Sequence, residues 1–147
     1  MGDRANVAVR GWSAEEPPVY LYTHWGGFEL PEVVRRALDS PEGHGRWDDP
    51  SYLARIVFEH MVRDAFSLET GFGISTTPAG DAEYDLILLD PRNGLVYRFP
   101  RSTTAEGIRE ALTAESPPEN AISFEDFVSA EARTWENLTD AVVGASP

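Results

Sequence analysis

The chain has 147 residues, 41% of them hydrophobic and 11% aromatic, with 25 acidic residues against 12 basic ones and a formal net charge of -13. That length supports one domain with a real core, and that apolar content excludes a disordered acidic tail. The absence of Cys excludes disulfides, thiolate zinc sites and cysteine nucleophiles, and the charge argues against direct nucleic-acid binding and against anionic membrane surfaces.

All twelve basic residues are Arg. Residues 1–100 hold 16 acids and nine Arg, and residues 101–147 hold nine acids and three Arg, with no run of like charge in the second part. Such a balance fits plain solubility, a salty cytoplasm or a basic protein partner. No apolar stretch is long enough to span a bilayer. The opening MGDRANVAVRGW has neither a signal-peptide nor a myristoylation pattern. The expectation is a single cytoplasmic domain over residues 1–147, with a frayed tail at 144–147.

In chain order, residues 6–12 predict a short strand. Residues 19–24 (VYLYTH) predict a second, rich in β-branched and aromatic types and ended by Gly26 and Gly27. A helix is predicted from Leu30 or Pro31 to Leu38, with Val33, Val34, Ala37 and Leu38 on one face. Residues 40–47 predict a loop. The next helix has Asp49 as cap, Pro50 as first residue and a stripe of Leu53, Ile56, Val57, Met61, Ala65 and Phe66, running to about Ser67. Residues 72–77 predict a strand. Residues 84–89 and 95–99 predict two more, joined through Asn93-Gly94 as a hairpin. A short helix capped by Thr104 is predicted over residues 105–114. After a Pro-Pro loop, Ser123 to Asp126 resembles a capping box and starts a last helix carrying Phe127, Val128, Trp135 and Leu138. The order β-β-α-α-β-β-β-α-α predicts an α+β domain, with one mixed or antiparallel sheet of about five strands and helices on one face.

Chemistry points first to Tyr20 to Gly27. On a strand Tyr20, Tyr22 and His24 share one face, and Leu21, Thr23 and Trp25 the other. Aromatic rings with a titratable tip, ending at a Gly pair where a ligand can approach backbone, are how small-molecule pockets are lined. The competing reading is core aromatics with a satisfied His24. A second segment, His44 to Tyr52, offers Arg46 as a fork and Trp47 as a stacking surface ahead of a helix N-terminus. Against that stand the negative Asp48 and Asp49, and the competing reading is a capped loop whose Trp covers the core. A third, Gly71 to Thr77, has a Gly-x-Gly and hydroxyls but lacks the Lys and helix of a P-loop. His60 and Asp64 lie four apart on a helix without a completing metal ligand, so no metal and no cofactor are expected.

At VYLYTHWGG, RWDDPSYLARIVF and ETGFGIS, from about Val19 to Leu89, with an echo in SFEDFV, the chain resembles a group of small proteins of actinobacterial, haloarchaeal and phage or mobile-element genomes. The string Y-x-H-W-G-G (Tyr22 to Gly27) carries the resemblance most specifically. It implies a setting where small inhibitors, anti-defence proteins and ligand-sequestering proteins are common, and it marks His24, Trp25, Gly26, Gly27, Trp47 and Asp48. It implies no reaction.

The reading that follows is a non-enzymatic binding protein. It would hold a small, nucleotide-like ligand in a pocket of Tyr22, His24, Trp25, Gly26, Gly27, Arg46, Trp47 and Asp48. The alternatives are an acidic inhibitor that meets a basic protein or imitates a nucleic acid, and a small hydrolase with His24 as general base beside Thr23 or Ser75. Composition leaves oligomeric state open.

Overall fold

The computed structural model describes residues 2–13, 15–63, 71–118, 120–130 and 135. Six strands form one mixed sheet: β1 (Ala5–Val9), β2 (Val19–Thr23), β3 (Phe72–Ser75), β4 (Leu86–Asp90), β5 (Leu95–Phe99) and β6 (Ile122–Ser123), in the spatial order β3-β2-β1-β4-β5-β6. Among the described residues only β1 and β4 pair in parallel. The helices are α1 (Leu30–Asp39), α2 (Pro41–His44), α3 (Pro50–Val62), α4 (Ala105–Thr113) and α5 (Phe124–Ser129). The α+β class and the single mixed sheet are as the sequence predicts. β6 is an added strand of two residues, held by pairing with β5 at Leu95 and Val96.

Local chemistry explains the helix starts. The Asp49 carboxylate accepts from the Tyr52 amide at 3.2 Å, the Thr104 hydroxyl from Gly107 at 3.1 Å, and the Ser123 hydroxyl from Asp126 at 3.0 Å. The predicted loop at 40–47 contains the one-turn α2, because Ser40 caps it by accepting from Gly43 at 3.0 Å and Pro41 opens it. α3 is described to Val62. Its expected continuation to Ser67, Asp64, Leu138 and the tail at 144–147 lie outside the described residues.

The strands bury both faces. Val7, Val9, Leu21, Ile87 and Leu89 pack under α1, α3 and α5, whereas Ala8, Tyr20, Leu88, Tyr97 and Phe99 pack under Ile108 and Leu112 of α4. The expectation of helices on one face is thus corrected for α4. The continuous apolar run Leu86 to Leu89 is the reason: every residue of β4 is buried, and a strand apolar on both sides needs cover on both sides.

Candidate functional site

Tyr22 and His24 share a sheet face, as the strand period requires. The Tyr22 hydroxyl and His24 Nδ1 make a hydrogen bond of 3.2 Å. Burial, then the charge of Asp81, push the Tyr22 phenol up, against the opposing influence of Arg4. Trp25 packs on His24 with ring centres 4.1 Å apart and leaves 58% of its surface exposed. Behind it sits Gly71 at φ +103°, where a Cβ would stand 3.0 Å from the indole. Of the Gly pair, Gly27 serves a close approach within the chain. The Gly27 amide donates to the Asp3 carbonyl at 2.7 Å, and its own carbonyl accepts from the buried Trp135 indole at 2.9 Å. A Cβ on Gly27 would lie 2.4 Å from the Asp3 oxygen. What approaches that backbone is the chain itself.

The second segment lies at the other end of the sheet. β2 runs antiparallel to β1 and β1 parallel to β4. His24 therefore follows the end of the sheet opposite the turn after Asp90. Trp47 and Asp48 border a broad basin of about 550 Å³ beside that turn, with His44, Gly94, Phe124 and Glu125. The Trp47 indole donates to the Leu38 carbonyl at 2.9 Å and its ring meets Phe124 edge-on at 5.6 Å, so it closes the core. Arg46 turns away, 4.4 Å over the Tyr52 ring and 3.5 Å from Asp49. A helix of thirteen residues spans about 20 Å. Arg46 and Tyr52 sit at its start, while His60 and Met61 near its end reach the level of Thr23. Tyr22, His24 and Trp25 are therefore not brought together with Arg46, Trp47 and Asp48.

The structure does build a cleft at the β2 end, but on the opposite sheet face from Tyr22 and His24. It measures about 150 Å³ and is lined by Thr23, Gly26, Glu29, Arg36 and His60, with apolar walls from Leu30, Val33, Met61 and Phe72. The Thr23 hydroxyl is buried and accepts from the Gly26 amide at 3.1 Å. The His60 side chain is 9% exposed and lies 3.4 Å from Glu42 and 3.3 Å from Arg63. Burial is the main cause holding its pKa below the ordinary imidazole range, helped by the Arg63 charge and only partly opposed by Glu42. Arg36 stands at the mouth, 3.8 Å from Glu32.

The sequence reading considers His60 only as a helix neighbour of Asp64 without a completing metal ligand. The signal was present: Leu53, Val57 and His60 recur at i, i+4 and i+7, which places His60 on the buried stripe. Glu29, Val33 and Arg36 repeat the same spacing from the N-cap into α1. A second missed group is Asp90. It is fully buried and accepts from the Arg10 guanidinium at 2.9 Å, from the Asn93 amide group at 2.8 Å and from the Tyr97 hydroxyl. Among the described residues no group of three or more His, Cys, Asp and Glu is arranged to hold a metal ion, and no helix is long and apolar enough to cross a membrane.

No family model, no curated protein and no solved structure matches the chain.

Proposed function

We propose that this chain is a non-enzymatic binding protein that takes a small ligand in the cleft between α1, α3 and the ends of β2 and β3. The observation that carries the reading is the convergence of Thr23, His60 and Arg36 on an apolar-walled cleft directly under the Y-x-H-W-G-G turn. Apolar walls with a few placed polar groups, one of shifted pKa, are the usual make-up of a binding site. Arg36 at the mouth favours a ligand with one acidic group. At about 150 Å³ the cleft is smaller than the roughly 300–1,000 Å³ of drug-sized sites, so a nucleotide would insert one end only.

The test is an NMR titration of the full chain with inorganic phosphate, nucleoside monophosphates and short carboxylic acids. One member should shift the amides of Thr23, Gly26 and Phe72. Arg36→Gln should weaken that binding about tenfold, the loss of one charge-assisted hydrogen bond. Arg46→Gln, at the far end of the sheet, should leave it unchanged. No shift with any member, or equal affinity in Arg36→Gln, defeats the reading.

A second reading, a protein-binding inhibitor, is favoured by one observation. β3 is a terminal strand of the sheet, and its Ile74 is 63% exposed. A terminal strand can accept a partner's strand, and the charge of -13 suits a basic one. A basic partner held at low salt and released by Ile74→Asp would support this; retention of no partner at low salt would remove it.

A further inference from the structure

α4 and the segment before β2 enclose a second cleft of about 170 Å³, on the sheet face opposite the cleft described above. Tyr20 lines it from β2 and is only 1% exposed. Its hydroxyl is buried with no hydrogen-bond partner among the described residues. Leaving such a group unpaired costs stability that a Phe would keep at the same position. Burial pushes the phenol up to about 12, and the protonated hydroxyl at neutral pH is a donor left unused by the described residues.

Two charged side chains one turn apart on α4, Glu106 and Arg109, border the same cleft. Neither side chain forms a hydrogen bond or ion pair with a described residue. The other two carboxylates at the rim are already engaged: Glu15 accepts from the Ser13 hydroxyl and Glu16 from the Ser13 amide, each at 2.9 Å. Pro17, Pro18 and Leu112 supply the apolar wall. The cleft therefore offers a donor pair, one free carboxylate and a hydrophobic surface within a small volume.

We propose that this cleft binds a small zwitterion with an apolar side chain, of the aliphatic α-amino-acid class. Its carboxylate would accept from the Tyr20 hydroxyl and Arg109, and its ammonium would meet Glu106. Its side chain would lie against Pro17, Pro18 and Leu112. A ligand of zero net charge suits this site better than a plain anion, because the three carboxylates of Glu15, Glu16 and Glu106 around it repel an anion.

The experiment titrates L-leucine, N-acetyl-L-leucine and L-leucinamide into the full chain and follows amide shifts by NMR. Leucine should move residues 15–20 and α4, leaving Thr23 and His60 in place. The analogues, which lack the ammonium and the carboxylate respectively, should bind about tenfold more weakly or worse. Tyr20→Phe and Arg109→Gln should each weaken leucine about tenfold with no loss of melting temperature. Arg109 is exposed, so that variant stands as a test even if the Tyr20 variant fails to fold. The proposal is overturned if leucine leaves α4 unmoved, if both analogues bind as well as leucine, or if Arg109→Gln binds like wild type. Because this site and the β2-end cleft report through different amides, failure of one is distinguishable from failure of the other.

Discussion

The Arg10 guanidinium donates to the Asp90 carboxylate at 2.9 Å across the β1 and β4 strands, and the carboxylate is wholly buried. Arg10 also donates to the Leu112 carbonyl at 2.9 Å, tying the C-terminal end of α4 to the sheet. Asp90 itself receives the Arg92 amide at 3.1 Å and the Asn93 side chain at 2.8 Å, which shape the β4–β5 turn. One carboxylate thus joins the sheet, the turn and, through Arg10, the helix on the second face.

Asp90→Asn should lower stability by about 3–5 kcal/mol, because it leaves Arg10 buried without its counter-charge. Urea unfolding followed by tryptophan fluorescence measures this. A loss below about 1 kcal/mol would mean that water or another group neutralises Arg10.

Acid should act on the same residue. Burial raises the Asp90 pKa, but the hydrogen bonds from Tyr97 and Asn93 and the Arg10 charge outweigh it and hold the carboxyl below its ordinary value. A group depressed in the fold stabilises above its unfolded pKa, and that contribution is lost as pH falls through the folded one. The Asp90-dependent part of stability should therefore be complete above about pH 4 and fade below it. Stability profiles of wild type and Asp90→Asn should converge at low pH; parallel profiles would contradict the assignment.

His60 acts in a higher window. Its folded pKa is depressed by burial, so the unfolded chain binds its proton more readily. Stability should fall as pH drops from about 7 through the ordinary imidazole range near 6.5. In His60→Gln that slope should flatten while the stability at pH 8 changes little. An unaltered slope would locate the titration elsewhere.

The two buried tyrosines facing α4 should respond oppositely to loss of their hydroxyls. Tyr20→Phe removes an unpartnered group and should be neutral or stabilising by about 1 kcal/mol. Tyr97→Phe removes a bond to the buried Asp90 and should cost about 1–3 kcal/mol. Thermal unfolding of the two variants side by side decides it, and equal shifts would refute the contrast.

Gly27→Ala should cost about 1–3 kcal/mol, since its Cβ would stand 2.4 Å from the Asp3 carbonyl and only backbone movement can relieve that. Gly26→Ala meets only the Thr23 hydroxyl, at 3.4 Å, and should stay within about 0.5 kcal/mol. A reversed order in a chemical denaturation series would show that Gly26 and not Gly27 is the tight position.

Local chemistry alone determined much of this protein. The caps at Asp49, Thr104 and Ser123, the alternation of Tyr20, Leu21, Tyr22 and Thr23, and the Asn93-Gly94 turn all act over a few residues, and each appears where the chain spells it. The run at Leu86 to Leu89 carried the sign that both sheet faces are covered. Which helix would cover the second face was decided by the contacts of Ile108 and Leu112, made far along the chain. The same holds for the site. Tyr22, His24 and Trp25 cluster because they are neighbours on a strand and its turn, a relation fixed by the backbone period. Their separation from Arg46, Trp47 and Asp48 depends on the strand directions in the sheet and on the length of α3, which no local pattern states. Tertiary structure likewise placed His60 and Arg36 around Thr23, paired Arg10 with Asp90 eighty residues away, and left the Tyr20 hydroxyl without a partner among the described residues. Those are long-range juxtapositions, set by packing rather than by propensity.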